Sequence, residues 1–252
     1  MAITLPETLL FEVDDGVATI TIDRPPVNAL TSEQYVEYAE FFRSLSDRDD
    51  VQVVIFETTG EDPFLAGHDV NEFVDLTPEA AEKLTNRAQT FFRAIDEIAW
   101  PTIAAIDGYA LGTGLAVTAV TDLRYATAAA EFGLPEVDRG VLGGYKFAQR
   151  HLPEGRAREL FYTGETISAA TAYDDGYVQD YFETREELRE AVTATAETIG
   201  EKNRETIRLA KESVLETVDM ETHAGYETEC GYTVELRNDE GARQSSEAFF
   251  EG

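Results

Sequence analysis

The chain has 252 residues, enough for one large domain or a core with a small appendage, and it sets fifty Asp and Glu against twenty Lys and Arg, a formal charge of −30. Such a surface repels nucleic acid, and its self-repulsion is relieved near 1 M salt, where the Debye length is about 3 Å, so a salt-adapted cytoplasm is the expected setting. The single Cys230 excludes an internal disulfide, no charged-apolar-small leader opens the chain, and no apolar run reaches the roughly 20 residues of a membrane helix.

Residues 9–13 and 17–23 alternate apolar and polar side chains around Asp14-Asp15-Gly16, which predicts a hairpin. A rigid turn, RPPVNAL, follows at residues 24–30. Thr31 with Gln34 forms a capping box for a helix over residues 35–45, and the acidic run 47–50 closes it. Residues 51–58 read as a strand. Thr77-Pro78 starts a second helix that runs to about residue 98, where Pro101 breaks the pattern.

Residues 101–126 run from an apolar strand through a glycine-spaced turn into a small, apolar helix that starts at Thr113, and then into another strand. Gly108, Gly112 and Gly114 remove the side chains that would keep a ligand from the main chain, and the helix start adds free N–H donors and the positive end of a dipole. A second turn of this kind, FLAGHDV, lies at residues 64–70. Two such turns can bracket one oxygen and stabilise charge that develops only in a transition state, at roughly 3–4 kcal/mol per donor. Acyl chemistry is the leading idea.

The repeating strand, turn and helix predict an α/β architecture. In the last third, Ser168 caps a short helix through Tyr173, Gly176 ends it near the segment 177–182, and amphipathic helices are predicted over residues 185–199, 203–218 and 226–237. A boundary is expected near residue 195, separating a core that holds the site (1–195) from a helical region (196–252) that needs a partner surface, hence an oligomer.

Five motifs in order, RPPVNAL (24–30), LAGHDV (65–70), IDGYALGTG (106–114), FGLPEVDRG (132–140) and YTGETISAATAYDDGYV (162–178), resemble the crotonase, or enoyl-CoA hydratase/isomerase, superfamily over almost the whole chain. The resemblance implies a spiral of ββα units with a C-terminal helical trimerisation region, a homotrimer or dimer of trimers, and coenzyme A thioesters as substrates with no permanently bound cofactor. It assigns the oxyanion donors to the amides of Ala66 and Thr113, with Gly112 in the donor turn. Glu136 becomes the acid/base. Arg24, Val27, Ala29, His68, Asp69, Val70 and Tyr145 fall on substrate- or CoA-facing positions, with Asp69 read as holding its turn.

Three departures bear on the reaction. Ala116 stands where two-glutamate hydratases carry their other carboxylate, so double-bond migration from 3-enoyl-CoA to 2-enoyl-CoA, which needs one acid, is favoured over hydration. His68 replaces the usual alanine of its turn, and it either polarises the thioester in a decarboxylase or thioesterase or faces the adenine or solvent. Tyr145 and Phe147 replace small residues beside the acyl pocket and either shorten it or pack outward. Arg24 meets a CoA phosphate or is a plain surface arginine; Asp138 is a displaced second acid or an ion-pair partner of Arg139. No metal is expected, since His151 and His223 lack a ligand cluster. A non-catalytic CoA-binding protein is the remaining reading, against which Glu136 speaks.

Overall fold

A computed structural model describes residues 4–59, 63–74 and 76–251, with side chains up to residue 245. Strands β1 (Leu9–Asp14) and β2 (Val17–Ile22) form the expected antiparallel hairpin. Its turn places Asp15 and Gly16 at φ 44° and 83°, the left-handed conformation that matches strand twist. After β3 (Ala29–Leu30), helix α1 (Ser32–Leu45) begins at Thr31 with both bonds of the capping box made. Strand β4 (Val53–Thr58), the short β5 (Gly67–His68) and a 3-10 helix (Val70–Phe73) lead to α2 (Pro78–Asp96), capped by Thr77.

Next come β6 (Thr102–Ile106), β7 (Tyr109–Leu111), α3 (Thr113–Val120), β8 (Leu123–Thr127) and β9 (Glu131–Gly133), then a 3-10 helix over Pro135–Arg139. Helices α4 (Tyr145–Ala148) and α5 (Glu154–Thr163), strand β10 (Thr166–Ser168), helix α6 (Ala169–Asp174), capped by Ser168, and strand β11 (Asp180–Phe182) complete the mixed region. Four helices follow: α7 (Arg185–Gly200), α8 (Arg204–Thr217), α9 (Thr222–Leu236) and α10 (Glu240–Glu251).

One six-stranded sheet, in the order β1-β2-β4-β6-β8-β11, is parallel throughout except for the first hairpin. A three-stranded sheet, β10-β9-β7, and the parallel pair β3-β5 take the chain out of the large sheet after four of its strands, β2, β4, β6 and β8. Because successive side chains of a strand alternate faces, Val54 and Phe56 point into the main core with Phe42 and Phe91, whereas Val53 and Ile55 point the other way, to Leu188, Val192 and Ala196 of α7. Central strand β4 is thus buried on both sides, which is why it reads as a continuous apolar run.

This packing corrects the boundary expected near residue 195, which falls inside α7. Burying Leu188 and Val192 contributes about 1.5–3 kcal/mol each and makes that helix part of the core. The Arg189 guanidinium also pairs with buried Glu57 of β4. The purely helical region begins at α8, which is anchored where Arg204 stacks 4.0 Å from the Trp100 ring and Lys211 reaches Asp122 at 2.8 Å. Helix α9 buries only Gly225, and Tyr226 and Val234 stand exposed on it.

Candidate active site

Two turns distant in sequence meet at the start of α3. Gly112, at φ 54°, is its N-cap, and the amides that follow have no intrahelical acceptor. Gly67 packs against this turn so closely that a Cβ there would lie 3.1 Å from the Leu111 carbonyl oxygen and 4.0 Å from the Thr113 nitrogen. A Cβ on Gly114 would lie 2.2 Å from the Leu65 carbonyl oxygen. Glycine is needed at these two positions because backbone meets backbone. Asn28, buried at φ 51°, fastens RPPVNAL to the second turn by donating its side-chain amide to the Pro63 carbonyl at 2.9 Å.

The expected donor at Ala66 needs correction. Its N–H is committed to the Val27 carbonyl at 3.1 Å, and the Asp69 N–H goes to the Leu30 carbonyl at 2.8 Å, both on the β3 side. In a parallel pair the residue opposite Leu30 is not the one bonded to it, so with the Asp69 N–H on the Leu30 carbonyl the N–H of His68 is not taken up by Leu30. Gly67, next to it, packs on the turn that leads to Thr113.

Glu136 comes to the same place from the 3-10 helix over Pro135–Arg139. Its carboxyl group lies over the donor turn, since a Cβ on Gly112 would stand 2.6 Å from Oε1. Among the described residues nothing hydrogen-bonds Oε2, which is buried. Burial pushes the carboxyl up to about 7, against smaller opposing effects of its own backbone N–H and Arg139. A carboxyl group so placed both accepts and returns a proton near neutral pH.

Gly112, Thr113, Ala116, His68 and Glu136 line one cavity of about 400 Å³. Its walls are apolar: Phe73, Leu84, Ala88, Phe92, Leu142 and Phe147. Glu136 is its sole carboxylate among the described residues. Tyr35, from α1, also lines it and joins the two turns, its hydroxyl lying 2.8 Å from Thr113 Oγ1 and 3.0 Å from His68 Nδ1. The other ring nitrogen of His68 stands 3.1 Å from Glu72, too oblique for a hydrogen bond. Burial lowers the His68 pKa, partly opposed by Glu72 and Asp69. Tyr35 and Glu72 carry no sequence signal; a tyrosine in an apolar helix face reads as core.

Other expected residues lie elsewhere. Arg24 is bound to Asp69 at 3.0 Å and to the Ala29 carbonyl, so its guanidinium braces the β3–β5 turn. Asp69 Oδ1 caps the 3-10 helix at Asn71, in keeping with a turn-holding role. Val27 and Val70 are exposed beside this turn and outside the cavity. Of the two bulky residues, Phe147 faces the cavity, 4.8 Å from the Phe92 ring, whereas Tyr145 packs on Phe161 at 5.4 Å, away from it. Asp138 is exposed against Gly164 and does not line the cavity, which removes it as a displaced acid; its neighbour Arg139 bonds the Pro135 carbonyl. Among the described residues no group of three His, Cys, Asp or Glu is placed to hold a metal, and no helix is long and apolar enough to cross a membrane.

The sequence model of the enoyl-CoA hydratase/isomerase family matches residues 12–252. Among curated relatives, the (7aS)-7a-methyl-1,5-dioxo-2,3,5,6,7,7a-hexahydro-1H-indene-carboxyl-CoA hydrolase of Mycobacterium tuberculosis is 35% identical over 94% of this chain and 95% of its own. A probable enoyl-CoA hydratase of Mycobacterium bovis is 36% identical over 82% of this chain and 81% of its own. Among solved structures, an enoyl-CoA hydratase of Mycobacterium smegmatis superposes with a TM-score of 0.92 at 27% identity, covering 98% of this chain and 97% of that one. The chain is an enzyme that belongs to the enoyl-CoA hydratase/isomerase family.

Proposed function

We propose that this enzyme binds an acyl-CoA thioester with its carbonyl oxygen between the main-chain amides of His68 and Thr113, and that Glu136 moves a proton at C2. The observation that carries this reading is the position of the Glu136 carboxyl group directly over the turn that supplies the Thr113 amide. Removing a proton beside a carbonyl leaves charge on oxygen, and two preorganised donors in an apolar cavity stabilise it where water would compete poorly. A single carboxyl group whose pKa is raised to about 7 serves both halves of a proton shuttle, so migration of a double bond from C3 to C2 is the simplest complete reaction.

Exposed Val27 and Val70 flank the oxyanion turns, where they would receive the coenzyme portion of the substrate. Phe147 and Phe92 close the cavity against long acyl chains. Hydrolysis or hydration is the second reading, favoured by the similarity to a CoA hydrolase and to a hydratase. The nearly unburied helix α9 supports assembly through the C-terminal helices into a trimer or dimer of trimers, and the charge of −30 supports work in a salt-rich cytoplasm. Incubation in molar salt with 2-enoyl, 3-enoyl and saturated acyl-CoA esters, followed by mass spectrometry and double-bond analysis, separates isomer exchange from water gain and from release of free CoA. Failure to exchange the C2 proton of any of them would defeat the proposal.

A further inference from the structure

We infer that Thr113, Tyr35, His68 and Glu72 form a proton relay that takes up the proton of a water molecule bound in the cavity, giving the enzyme a base for water chemistry besides Glu136. The inference rests on the enolate reading above and extends it to the step that Glu136 alone does not serve. Both turns that converge on α3 contribute a side chain to this chain of contacts, Thr113 from one and His68 from the other, and Tyr35 bridges them.

The charge of Glu72 favours one direction of hydrogen bonding along these contacts. Glu72 Oε2 lies 3.1 Å from His68 Nε2, and its negative charge favours the tautomer with the ring proton on Nε2, which leaves Nδ1 as acceptor. Tyr35 then donates its only proton to Nδ1 at 3.0 Å, and its oxygen accepts the Thr113 hydroxyl proton at 2.8 Å. Thr113 Oγ1 keeps its lone pairs for a donor in the cavity that Thr113 lines. Glu72 is itself held, because the Ser32 N–H donates to the same oxygen at 3.0 Å and Arg87 donates to the Ser32 hydroxyl at 2.9 Å. Burial holds Tyr35 well above the usual phenol range, so it passes protons as a neutral hydroxyl and does not ionise.

In the forward step on a 2-enoyl thioester, the water oxygen bonds to C3 and the C2=C3 pair moves toward the thioester oxygen. The water proton passes to Thr113 Oγ1, the Thr113 proton to Tyr35, and the Tyr35 proton to His68, whose cation is stabilised by Glu72. Protonated Glu136 then delivers its proton to C2. The gain is one water, and the enzyme resets when the proton on His68 returns through solvent to Glu136. The charged groups that face His68 are Glu72 and Asp69 on its own loop and Glu136 across the cavity, with Arg24 acting through Asp69 and Arg87 through Ser32.

Tyr35→Phe removes both hydroxyl contacts and keeps the ring stacked 5.0 Å from Phe91. Two reactions are compared on one preparation: deuterium exchange at C2 of butyryl-CoA, which needs Glu136, and water addition to crotonyl-CoA, with CoA release followed in parallel. The ratio of water chemistry to exchange is expected to fall about 30- to 100-fold in kcat, with KM changed no more than about threefold. The pH profile of water addition by the wild type should show one ionisation more than that of exchange, and Tyr35→Phe should remove it while leaving the profile of exchange. An equal fall in both reactions, or in neither, overturns the relay, as does a wild-type enzyme that exchanges C2 protons without adding water or releasing CoA. Absence of exchange in the wild type is a separate result, which removes the enolate reading and the relay with it.

Discussion

Glu136→Gln should separate the contribution of this side chain to stability from its contribution to rate. In the native protein the carboxyl titrates at about 7 rather than at its ordinary 4.5, so the folded state holds this proton more tightly than the unfolded chain does. A raised folded pKa means stability that is present below 4.5 and is lost as pH rises through 7. The full loss corresponds to about 3 kcal/mol, and about 2.5 kcal/mol of it falls between pH 5 and pH 8.5. Glutamine has no such titration. The variant should therefore gain on the wild type by about 2.5 kcal/mol between those two pH values, or roughly 5–10 °C in melting temperature. Thermal melts at the two pH values, in molar salt, measure this difference directly, and the other carboxylates cancel in it. The same variant should lose about 10²- to 10⁴-fold in C2 exchange, and wild-type exchange should fall about tenfold from pH 8 to pH 6 as the base is protonated. A difference in melting temperature that does not change with pH would refute a buried carboxyl group that ionises near neutrality.

Three further outcomes follow from the same geometry. Phe147→Ala should open the cavity beside Phe92 and raise kcat/KM for eight-carbon over four-carbon enoyl-CoA by up to about 200-fold, at about 0.8 kcal/mol for each of the four added methylenes, as measured by competition between the two esters. Gly114→Ala, with its Cβ 2.2 Å from the Leu65 carbonyl oxygen, should force the two donor turns apart, costing about 3 kcal/mol in a denaturant titration and abolishing C2 exchange. The midpoint of thermal unfolding should climb with KCl, most steeply below about 1 M, where screening of the −30 charge changes most; a flat profile would speak against salt adaptation.

Local chemistry determined much of this molecule before any tertiary contact is considered. The box of Thr31 and Gln34, the Thr77-Pro78 start, the Ser168 cap and the Asp15-Gly16 turn are satisfied by neighbours a few residues away, so their signals survive in the bare sequence. The same holds for the helix start at Thr113, where glycines on either side can be read as room for a close approach. Short strands such as β5 and β7 were beyond that reading, because two or three residues carry no period of their own and pair only once their partners arrive. Helix α10 lies beyond residue 237, where the predicted helices end.

The site belongs to the fold. Which amides of LAGHDV are committed depends on residues about forty positions earlier, whose carbonyls take up the N–H groups of Ala66 and Asp69. Tyr35 meets Thr113 across 78 residues, and Phe147 enters the cavity while Tyr145, two positions before it, leaves by another face. Residue types and spacings could name the acid and the glycine turns, since those needs are local; direction, burial and the partner of each polar atom are properties of packed surfaces, and these exist only in the folded chain.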